Sequence, residues 1–385
     1  MKILIVGTGN IGSIIARDLA ENMTSTEMVI ADKNQRRAEQ VAATIGRKDV
    51  SGIPLDVFDR KILIDTLKQF DLVVGALPGE IGYKLLEACV NAKVNTVDVS
   101  FMPENPLALS KAAAKAGATI IPDCGVAPGL SHMLVQRGVS KLDKVENAQI
   151  MVGGLPEKPI PPLGYTITWS VEGLIDEYLR KARIIKDGKV TEVDALDQVE
   201  GVEFPGVGKL EAFYSDGLRT LLQTLKGVKN MAEKTLRYPG HIEKIRLLRD
   251  LGLLDESPIQ VADTLVPPRK VTMRLLEKKL KKPNVPDILA MLVQVEGTKD
   301  GKRTMYSYQI LDRYDKKSKV TAMARTTAYT ASCVAQLLAK KVIKIKGMIP
   351  PEKLGGDEKV FRKLLSMLKK RGIQIKESKK IKETS

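Results

Sequence analysis

The chain has 385 residues, of which 43% are hydrophobic and 28% are charged, and its formal net charge is +16 at pH 7. This length and composition predict a soluble globular protein with room for two domains, each with its own core. No apolar run is long enough to cross a bilayer, which excludes a membrane-spanning protein, and we expect no membrane partner.

The positive charge permits nucleic-acid binding but does not by itself predict it. Much of the basic excess lies in Arg269 to Lys282 and in Lys369 to Lys382. Aromatic residues make up 4% of the chain and are not interleaved with the basic residues of either stretch. This pattern favours a solvated, lysine-rich surface. We expect a small-molecule substrate and no nucleic-acid partner.

Targeting and redox signals predict a cytoplasmic protein. The apolar opening MKILIV breaks at once into GTGNIG, which is not the pattern of a secretory signal peptide. The cysteines, Cys89, Cys124 and Cys333, lie far apart and follow neither a paired nor a metal-binding spacing. Cysteines of this kind suit a reducing compartment.

The first predicted strand, Ile3–Val6, runs into glycines with the G-x-G-x-x-G spacing. Gly7 permits a tight turn, Gly9 lets a pyrophosphate approach the backbone, and Gly12 lets the next helix pack closely on the strand. The free N–H groups at the start of that helix would face the phosphates. A second apolar run ends at Asp32, where a carboxylate is expected to bind an adenosine ribose hydroxyl. The predicted dinucleotide contacts are Gly7, Thr8, Gly9, Asn10, Ile11, Gly12 and Asp32.

The first third of the chain alternates predicted strands and helices. The strands are Ile3–Val6, Met28–Ala31, Gly52–Leu55, Leu72–Ala76, Thr96–Val99 and Ala118–Ile121, and the helices are Ile11–Glu21, Gln35–Ile45, Lys61–Phe70, Ile81–Ala92 and Leu107–Ala116. Such alternation predicts a doubly wound parallel sheet of the α/β class, which binds ligands beyond the carboxyl ends of its strands. Further candidate cofactor contacts are therefore Asp56, Val57, Ala76, Leu77, Pro78, Asp98, Val99 and Ser100.

After Pro128 the pattern becomes mixed, which predicts an inserted α+β domain. The strand-like pieces are Ala148–Val152, Tyr165–Trp169 and Val207–Phe213, and the helices are Gly129–Arg137, Val171–Lys181, Gly217–Leu225, His241–Leu251 and Pro268–Leu280. A β-hairpin is predicted where Ile288–Glu296 and Arg303–Asp312 flank Asp300-Gly301.

A helical pattern returns at Thr321–Lys341 and again at Glu358–Arg371, before a short strand and a charged tail that we expect to fray. We interpret this part as the chain crossing back to the first domain. The predicted domains are a dinucleotide-binding domain at 1–128, a substrate-binding domain at 129–319 and the returning segment at 320–385.

Two common kinds of catalytic site find no support in the sequence. The only histidines, His132 and His241, are too far apart to be a helical pair of metal ligands, and no Cys/His cluster or G-x-S-x-G motif occurs. A dinucleotide domain joined to a second domain is instead typical of a dehydrogenase, in which the cofactor supplies the hydride chemistry. We expect no metal, and a substrate cleft between the domains.

Three residues carry a structural as well as a functional interpretation. Asp123 ends the sixth strand, and it either contacts the nicotinamide ribose or a substrate amine, or caps the following turn. Trp169, the only tryptophan, is interpreted as core rather than as a wall of the cleft. His132 is interpreted as a core or interface histidine.

Two turn-rich segments of the second domain contain arginines, the residues best suited to a bidentate grip on a carboxylate. The first segment offers Arg219 and Thr220, and the second offers Thr235, Arg237, Tyr238 and His241. Each arginine alone fits a structural ion pair as well. Together they predict that at least one binds a substrate carboxylate.

At DCGVAPGLSHML, GGLPEKPIPPLGYTITWS, LEAFYSDGLRTLL and TLRYPGHIEK, the chain resembles the saccharopine dehydrogenase-like family, and within it the lysine 6-dehydrogenases. The resemblance implies a Rossmann domain completed by the returning segment, with an inserted α+β domain that binds substrate and contributes to a homodimer. It implies NAD-dependent oxidative deamination of L-lysine at its ε-carbon, with loss of ammonia and cyclisation to piperideine-6-carboxylate.

The resemblance also implies roles for individual residues. The substrate residues it implies are Trp169, Arg219, Thr220, Thr235, Arg237, Tyr238 and His241. A base must accept a proton so that a neutral amine can lose hydride. Tyr238, His241 and Asp123 are the candidates, and the sequence does not choose between them. An acidic wall for the substrate cation is available in Glu211, Asp98 and Asp123.

Alternatives remain for both substrate and cofactor. Saccharopine or another N-linked amino-acid conjugate fits the same fold but would need more arginines, and a nucleic-acid-associated protein would use the net charge instead. Asp32 favours NAD because a carboxylate repels a 2′-phosphate, while Lys33, Arg36 and Arg37 could accept that phosphate of NADP. We expect NAD, with NADP less favoured.

Overall fold

The computed structural model describes residues 1–167, 170–282 and 285–382. It divides into two compact units, and the chain passes between them after residues 141, 218, 224, 322 and 375. The first unit contains Met1–Lys141, Arg219–Thr224 and Met323–Ile375, and the second contains Leu142–Leu218, Leu225–Ala322 and Lys376–Ser385.

The strands and helices of the two units are numbered here in chain order. The strands are β1 (Lys2–Val6), β2 (Glu27–Asp32), β3 (Val50–Pro54), β4 (Leu72–Gly75), β5 (Asn95–Asp98), β6 (Thr119–Ile121), β7 (Lys144–Pro156), β8 (Ala182–Lys186), β9 (Lys189–Val193), β10 (Glu200–Phe204), β11 (Gly208–Ser215), β12 (Asn230–Arg237), β13 (Ile259–Val261), β14 (Thr264–Val266), β15 (Asp287–Lys299), β16 (Lys302–Arg313), β17 (Gly347–Met348) and β18 (Lys376–Lys382). The α-helices are α1 (Asn10–Asn22), α2 (Gln35–Ile45), α3 (Arg60–Leu67), α4 (Gly79–Ala92), α5 (Ser110–Ala116), α6 (Leu130–Val139), α7 (Val171–Leu179), α8 (Leu221–Thr224), α9 (His241–Asp250), α10 (Pro268–Leu280), α11 (Ala322–Ala339), α12 (Pro351–Gly356) and α13 (Glu358–Lys370).

The first unit is built on a parallel sheet of 7 strands in the order β17-β6-β5-β4-β1-β2-β3. The central strand β1 is buried on both faces, because Leu4 and Val6 lie in one core cluster and the alternating Ile3 and Ile5 are also fully buried. The strand order reverses between β1 and β4, which is where doubly wound sheets bind their ligands. The predicted α/β class is confirmed.

The second unit is built on a mixed sheet of 9 strands, whose main path is β10-β11-β12-β7-β15-β16-β18. The predicted hairpin is confirmed as β15 and β16, which pair from Ile288↔Arg313 to Lys299↔Lys302. Its turn residues Asp300 and Gly301 both have positive φ, at 49° and 72°, as the tightest hairpin turns require. Strands β13 and β14 form a separate sheet of 2 strands.

Most predicted helices match the structure within two or three residues, and α2 and α10 match at both ends. The helix predicted over Gly217–Leu225 is wrong, because only Leu221–Thr224 is helical. Arg219 has a φ of 48°, a left-handed conformation that a continuous helix does not allow. No strand covers Tyr165 to Ile167, and the rest of that predicted strand, including Trp169, lies outside the described residues.

The division into units differs from the sequence-based boundaries in three places. Helix α6 belongs to the first unit, where it packs against α12. Residues 219–224 belong to it as well. The tail that we expected to fray is instead strand β18, which pairs with β16 from Gln309↔Lys376 to Arg303↔Lys382. No helix among the described residues is both long and apolar enough to span a membrane.

Candidate functional site

The glycine loop connects β1 to α1 and leaves one side of the backbone open. Gly7 has a φ of 104°, and a Cβ there would lie 2.5 Å from the carbonyl oxygen of Ala76. A Cβ on Gly12 would lie 2.0 Å from the carbonyl oxygen of Gly7, so both positions require glycine. A Cβ on Gly9 would meet no described heavy atom within 4 Å. No described side chain caps α1, so the first N–H groups of this helix remain available to a phosphate.

Asp32 stands at the end of β2, beside this loop. Its Oδ2 accepts hydrogen bonds from the N–H and the hydroxyl of Thr8 at 2.9 and 2.6 Å, and its Oδ1 accepts one from the N–H of Asn34 at 2.9 Å. Burial raises the pKa of Asp32, but these hydrogen bonds and the nearby Arg37 outweigh it and lower the pKa overall. The carboxylate is therefore charged at neutral pH. Lys33, Arg36 and Arg37 are exposed close by.

The other predicted cofactor contacts lie at the ends of neighbouring strands. Val6 is in register with Ala31 on β2 and with Gly75 on β4, and Gly75 is in register with Asp98 on β5. The sheet therefore brings to one edge Gly7 to Gly12, Asp32, Ala76 to Pro78 and Asp98 to Ser100. Strand β3 is the edge strand next to β2, and Asp56 and Val57 follow its end. Asp56 is exposed and accepts a hydrogen bond from the N–H of Phe58, whereas Val57 is buried.

Asp98 is completely buried at this edge. Its Oδ1 accepts a hydrogen bond from the N–H of Ser100 at 2.8 Å, and its Oδ2 accepts one from the hydroxyl of the same residue at 3.2 Å. Burial raises the pKa of Asp98 to about 7, with a further contribution from the charge of Asp123. The carboxyl therefore titrates near neutrality, unlike an exposed aspartate.

Asp123 follows β6 and forms a buried ion pair with Arg219, a residue 96 positions later in the chain. Nε of Arg219 lies 3.2 Å from Oδ2 of Asp123, and Nη2 lies 3.2 Å from Oδ1, so the pairing is bidentate. The guanidinium also lies 5.1 Å from the ring centre of Phe101. Burial raises the pKa of Asp123 more strongly than Arg219 lowers it, and the pKa stays above its ordinary value.

The residues after Arg219 are held by Glu352 of the returning segment, which the sequence analysis missed. The hydroxyl of Thr220 donates to Oε2 of Glu352 at 2.9 Å, and the hydroxyl of Thr224 donates to Oε1. Nδ1 of His132 lies 3.6 Å from Oε2, and the predicted burial of His132 is confirmed. Burial raises the pKa of Glu352, but His132 and then the hydrogen bond from Thr224 outweigh it and lower the pKa. No motif in the sequence marks Glu352.

In the second unit, Arg237 and Thr235 lie on the same face of β12 and converge on Glu177 of α7. Nη2 of Arg237 donates to Oε2 of Glu177 at 2.7 Å, and the hydroxyl of Thr235 donates to Oε1 at 2.6 Å. The ring centres of Tyr165 and Phe213 lie 4.5 and 5.8 Å from the guanidinium. Burial lowers the pKa of Arg237, but Tyr165 and Glu177 outweigh it and raise the pKa. Arg237 is therefore a permanent buried cation.

Glu211 stands directly opposite Arg237 in the pairing of β11 with β12, so the two side chains share one face of the sheet. Oε1 of Glu211 accepts a hydrogen bond from the N–H of Gly240 at 2.8 Å. Among the described residues, buried Oε2 of Glu211 and buried Nε of Arg237 have no hydrogen-bond partner. One face therefore carries a buried acceptor and a buried donor whose hydrogen bonds remain unmade.

His241 and Tyr238 are engaged in hydrogen bonds of their own. Nδ1 of His241 donates to the carbonyl oxygen of Leu163 at 2.7 Å, so Nε2 accepts from the hydroxyl of Tyr178 at 2.8 Å. Burial and then Arg237 lower the pKa of His241 to about 3, which keeps the ring neutral. The hydroxyl of Tyr238 donates to the carbonyl oxygen of Pro156 at 2.9 Å, and burial raises its pKa. Nothing in the sequence marked Glu177 or Tyr178.

The remaining predictions concern metal and Trp169. The described residues contain no group of three or more His, Cys, Asp or Glu side chains placed to hold a metal ion. Trp169 lies outside the described residues, so its predicted role as core or substrate residue stays a prediction.

Two family models match consecutive parts of the chain. The saccharopine dehydrogenase NADP binding domain matches residues 3–121, and the saccharopine dehydrogenase C-terminal domain matches residues 125–373. The chain belongs to the saccharopine dehydrogenase family. The predicted resemblance to this family is thereby confirmed, and the protein is an oxidoreductase of the family with a nicotinamide dinucleotide-binding domain.

Individual relatives of this family member are distant. The chain is 24% identical over 336 residues to the NADP-dependent, L-glutamate-forming saccharopine dehydrogenase of Pyricularia oryzae, covering 83% of this chain and 73% of that one. With the Saccharomyces cerevisiae enzyme of the same name, the identity is 25% and the match covers 68% of this chain and 60% of the relative. A carboxyaminopropylagmatine dehydrogenase of Synechocystis is 24% identical, over 92% of this chain and 93% of the relative.

A solved structure supports the fold. The apo saccharopine dehydrogenase from Saccharomyces cerevisiae superposes with a TM-score of 0.82, covering 98% of this chain and 99% of that one at 20% identity. At this identity the likeness confirms the predicted architecture, a doubly wound sheet joined to a second, mixed-sheet domain.

Proposed function

We propose that this saccharopine dehydrogenase family member oxidises L-lysine at its ε-carbon with NAD, giving ammonia and piperideine-6-carboxylate. The observation that carries the proposal is the unmatched pair on β11 and β12, Nε of Arg237 and Oε2 of Glu211. Buried groups without partners cost free energy, which a complementary ligand recovers. The α-carboxylate and α-ammonium of a free amino acid are complementary to this donor and this acceptor.

The charge balance of the candidate residues favours lysine over a conjugate with more carboxylates. Arg219 is already matched by Asp123, and Arg237 by Glu177. Of these two arginines, only Arg237 keeps a buried donor without a partner, which can bind one substrate carboxylate but not the three of saccharopine. Lysine brings one carboxylate and two amines.

Among the three candidate bases, the hydrogen bonds favour Asp123. The free lone pair of His241 is taken by Tyr178, and Tyr238 donates its proton to a backbone carbonyl. Asp123 has a raised pKa, which makes it a better proton acceptor than an ordinary aspartate, and Arg219 fixes its orientation. In this proposal Asp123 takes the proton of the substrate ε-ammonium, and the neutral amine can then release hydride.

The open side of the glycine loop fits a dinucleotide. The loop and the start of α1 would hold the pyrophosphate, and Asp32 would accept a ribose hydroxyl. When bound, the nicotinamide supplies the hydride acceptor.

The proposal is tested by following the absorbance of reduced nicotinamide with L-lysine, saccharopine, ornithine and spermidine, each with NAD and with NADP. We expect turnover with L-lysine, release of ammonia and a cyclic imine product. Turnover with saccharopine and release of glutamate, without turnover of lysine, would overturn the choice of substrate. That second candidate is favoured by the names of the fungal relatives.

Preference for NAD is a separate proposal, since the matched domain and the fungal relatives are named for NADP. The ionised Asp32 would repel a 2′-phosphate. Asp32→Ser should lower kcat/KM with NAD about tenfold and raise it with NADP, because neighbouring Arg36 and Arg37 remain. Asp65→Ser, on the exposed side of α3, is the matched control and should change neither value. An unchanged ratio in Asp32→Ser would remove this role.

A further inference from the structure

Glu352 of α12 is a carboxylate deep inside the first unit, where 2% of its surface is exposed. The structure gives it two threonine hydroxyls and His132 as partners, and no lysine or arginine among the described residues forms an ion pair with it. A buried carboxylate is costly, and a neutral side chain of similar size often holds a protein interior together equally well. The charge of Glu352 therefore calls for a role beyond packing.

Close packing of α12 against α6 fixes the place of this carboxylate. A Cβ on Gly355 would lie 2.1 Å from the carbonyl oxygen of Met133, so only glycine allows the two helices to approach this closely. The approach brings Oε2 of Glu352 to 3.6 Å from Nδ1 of His132 on α6. The carboxylate is thus held by two helices of the first unit.

From this place Glu352 holds the turn formed by residues 219–224. Its Oε2 accepts a hydrogen bond from the hydroxyl of Thr220 at 2.9 Å, and its Oε1 accepts one from the hydroxyl of Thr224. Arg219, directly before Thr220, has a φ of 48°, a left-handed conformation that an arginine keeps only when its surroundings enforce it. We expect the two hydrogen bonds to Glu352 to supply that enforcement.

Arg219 passes this constraint on to Asp123, the base of the proposed function. Its Nε and Nη2 each lie 3.2 Å from one carboxylate oxygen of Asp123, and Nη2 also donates to the carbonyl oxygen of Glu104 at 3.3 Å. Such a bidentate pair requires the guanidinium to keep its plane and position. A shift of the backbone at Arg219 would therefore disturb the orientation of Asp123.

The charge of Glu352 also acts on Asp123. Burial raises the pKa of Asp123, Arg219 and then His132 lower it, and the like charge of Glu352 raises it. The pKa of Glu352 itself is lowered overall, so the negative charge is present at neutral pH. The ionisable groups that influence Asp123 or lie beside it are Asp98, Cys124, His132, Arg219 and Glu352.

We propose that Glu352 is a positioning residue for the reaction: it fixes the turn that carries Arg219, and its negative charge favours proton uptake by Asp123. This inference rests on the proposed function, in which Asp123 is the base. It also accounts for the buried charge, since a glutamine could keep part of the hydrogen bonding but not the electrostatic effect on Asp123.

The first experiment compares the pH dependence of kcat/KM, which falls on the acid side as the base becomes protonated. Glu352→Gln removes a like charge, so the pKa of Asp123 should fall and the acid limb should move to lower pH by about one unit. Thr220→Val keeps that charge but removes a hydrogen bond that holds the turn. Arg219 should then pair less well, so the limb should move to higher pH and kcat should fall about tenfold.

Glu358→Gln, on α13 of the same returning segment, is the matched control and should leave the acid limb and kcat unchanged. The opposite shifts of Glu352→Gln and Thr220→Val are what a merely structural role would not produce. An unmoved limb in Glu352→Gln would overturn the proposal. A rise in KM alone in Thr220→Val would place Thr220 on the substrate, as the resemblance implies, and would overturn the positioning of the turn.

A second experiment needs no substrate and measures hydrogen–deuterium exchange of the full-length protein by mass spectrometry. The N–H groups of Leu222, Gln223 and Thr224 donate to carbonyl oxygens of the same turn. Their exchange should become faster by on the order of tenfold in Glu352→Gln and Thr220→Val, and should stay as in the wild type in Glu358→Gln.

The two experiments separate this inference from the proposed function. Unchanged exchange in both variants would overturn the positioning role, whatever the substrate is. Faster exchange, together with a wild type that oxidises saccharopine and not L-lysine, would overturn the proposed substrate alone. The pH profiles would then be measured with saccharopine, and the same opposite shifts would be expected.

Discussion

Among the candidate site residues, each unit buries an arginine against a carboxylate, but these two pairs have different surroundings. In the first unit, Arg219 pairs with Asp123 at two distances of 3.2 Å, and Asp98 and Glu352 influence Asp123 as further buried acids. In the second unit, Arg237 meets Glu177 at 2.7 Å and is enclosed by aromatic rings.

These surroundings act on protons in opposite ways. The pKa of Asp98 is raised to about 7 by burial, and burial also raises the pKa of Asp123 above its ordinary value, so both carboxyls bind a proton more tightly than an exposed aspartate does. Around Arg237 the neighbouring His241 stays neutral and the guanidinium stays charged. In the proposed reaction, the first pair therefore handles a proton and the second holds a fixed charge.

Asp123→Asn tests the first half of this comparison most strongly. Without its carboxylate the proposed base is lost, and kcat with L-lysine should fall by at least about 100-fold. Binding of reduced cofactor, measured by fluorescence titration, should change little. Asp143→Asn, an exposed aspartate paired with Lys299, is the control and should keep full activity. A kcat within about threefold of the wild type would assign the proton to another group.

Asp98→Asn should change how stability depends on pH. Because burial raises the folded-state pKa from 3.8 to about 7, the folded protein binds this proton more tightly than the unfolded chain. The wild-type free energy of unfolding should therefore fall as pH rises from about 4 to about 7, by on the order of a few kcal/mol.

Urea unfolding at a series of pH values measures this slope, which should be flatter in Asp98→Asn. Asp56→Asn is the control, since that carboxylate is exposed at the end of β3 and should leave the slope unchanged. Parallel pH profiles for the wild type and Asp98→Asn would show that Asp98 titrates normally.

Arg237→Lys tests the second pair and should have the smallest effect. The introduced lysine side chain keeps the positive charge, but its ammonium cannot bind Glu177 and also offer a second N–H donor in the fixed plane of a guanidinium. We expect KM for L-lysine to rise about tenfold with kcat within about threefold. Arg183→Lys, at the half-exposed pair with Asp216, is the control and should leave both constants unchanged. A fall in kcat with constant KM would give Arg237 a role in the chemical step.

The elements that the sequence predicted well are those whose signal is local. The glycine loop, the apolar strands of the first unit and the hairpin turn at Asp300-Gly301 each depend on a few adjacent residues, and each is present in the structure. Helix α2 was predictable to the residue because Asn34 caps its start and Gly46 ends it in a left-handed conformation.

The features that the sequence did not reveal depend on distant partners. Strand β18 reads KESKKIK, without an apolar alternation, and it exists because β16 offers a ladder of backbone partners. Glu352 acquires its position from Thr220, which lies 132 residues away, and Arg237 acquires its counter-charge from Glu177, 60 residues away. The left-handed backbone at Arg219 overrides a locally helical pattern in the same way. Contacts between residues so far apart in the chain produce no local or periodic pattern in the sequence.

The path of the chain between the units also constrains how this protein can be synthesised. During translation, the last strand of the first sheet, residues 347–348, and the last strand of the second sheet, residues 376–382, are made near the end of the chain. Both sheets nevertheless begin within the first 156 residues. Neither sheet can be completed while the middle of the chain is being translated, so β6 and β16 each keep one unpaired edge until the last part of the chain has been made. For the same reason, no single cut in the backbone releases either unit intact, and expression of an excised half should yield an aggregating fragment rather than a domain.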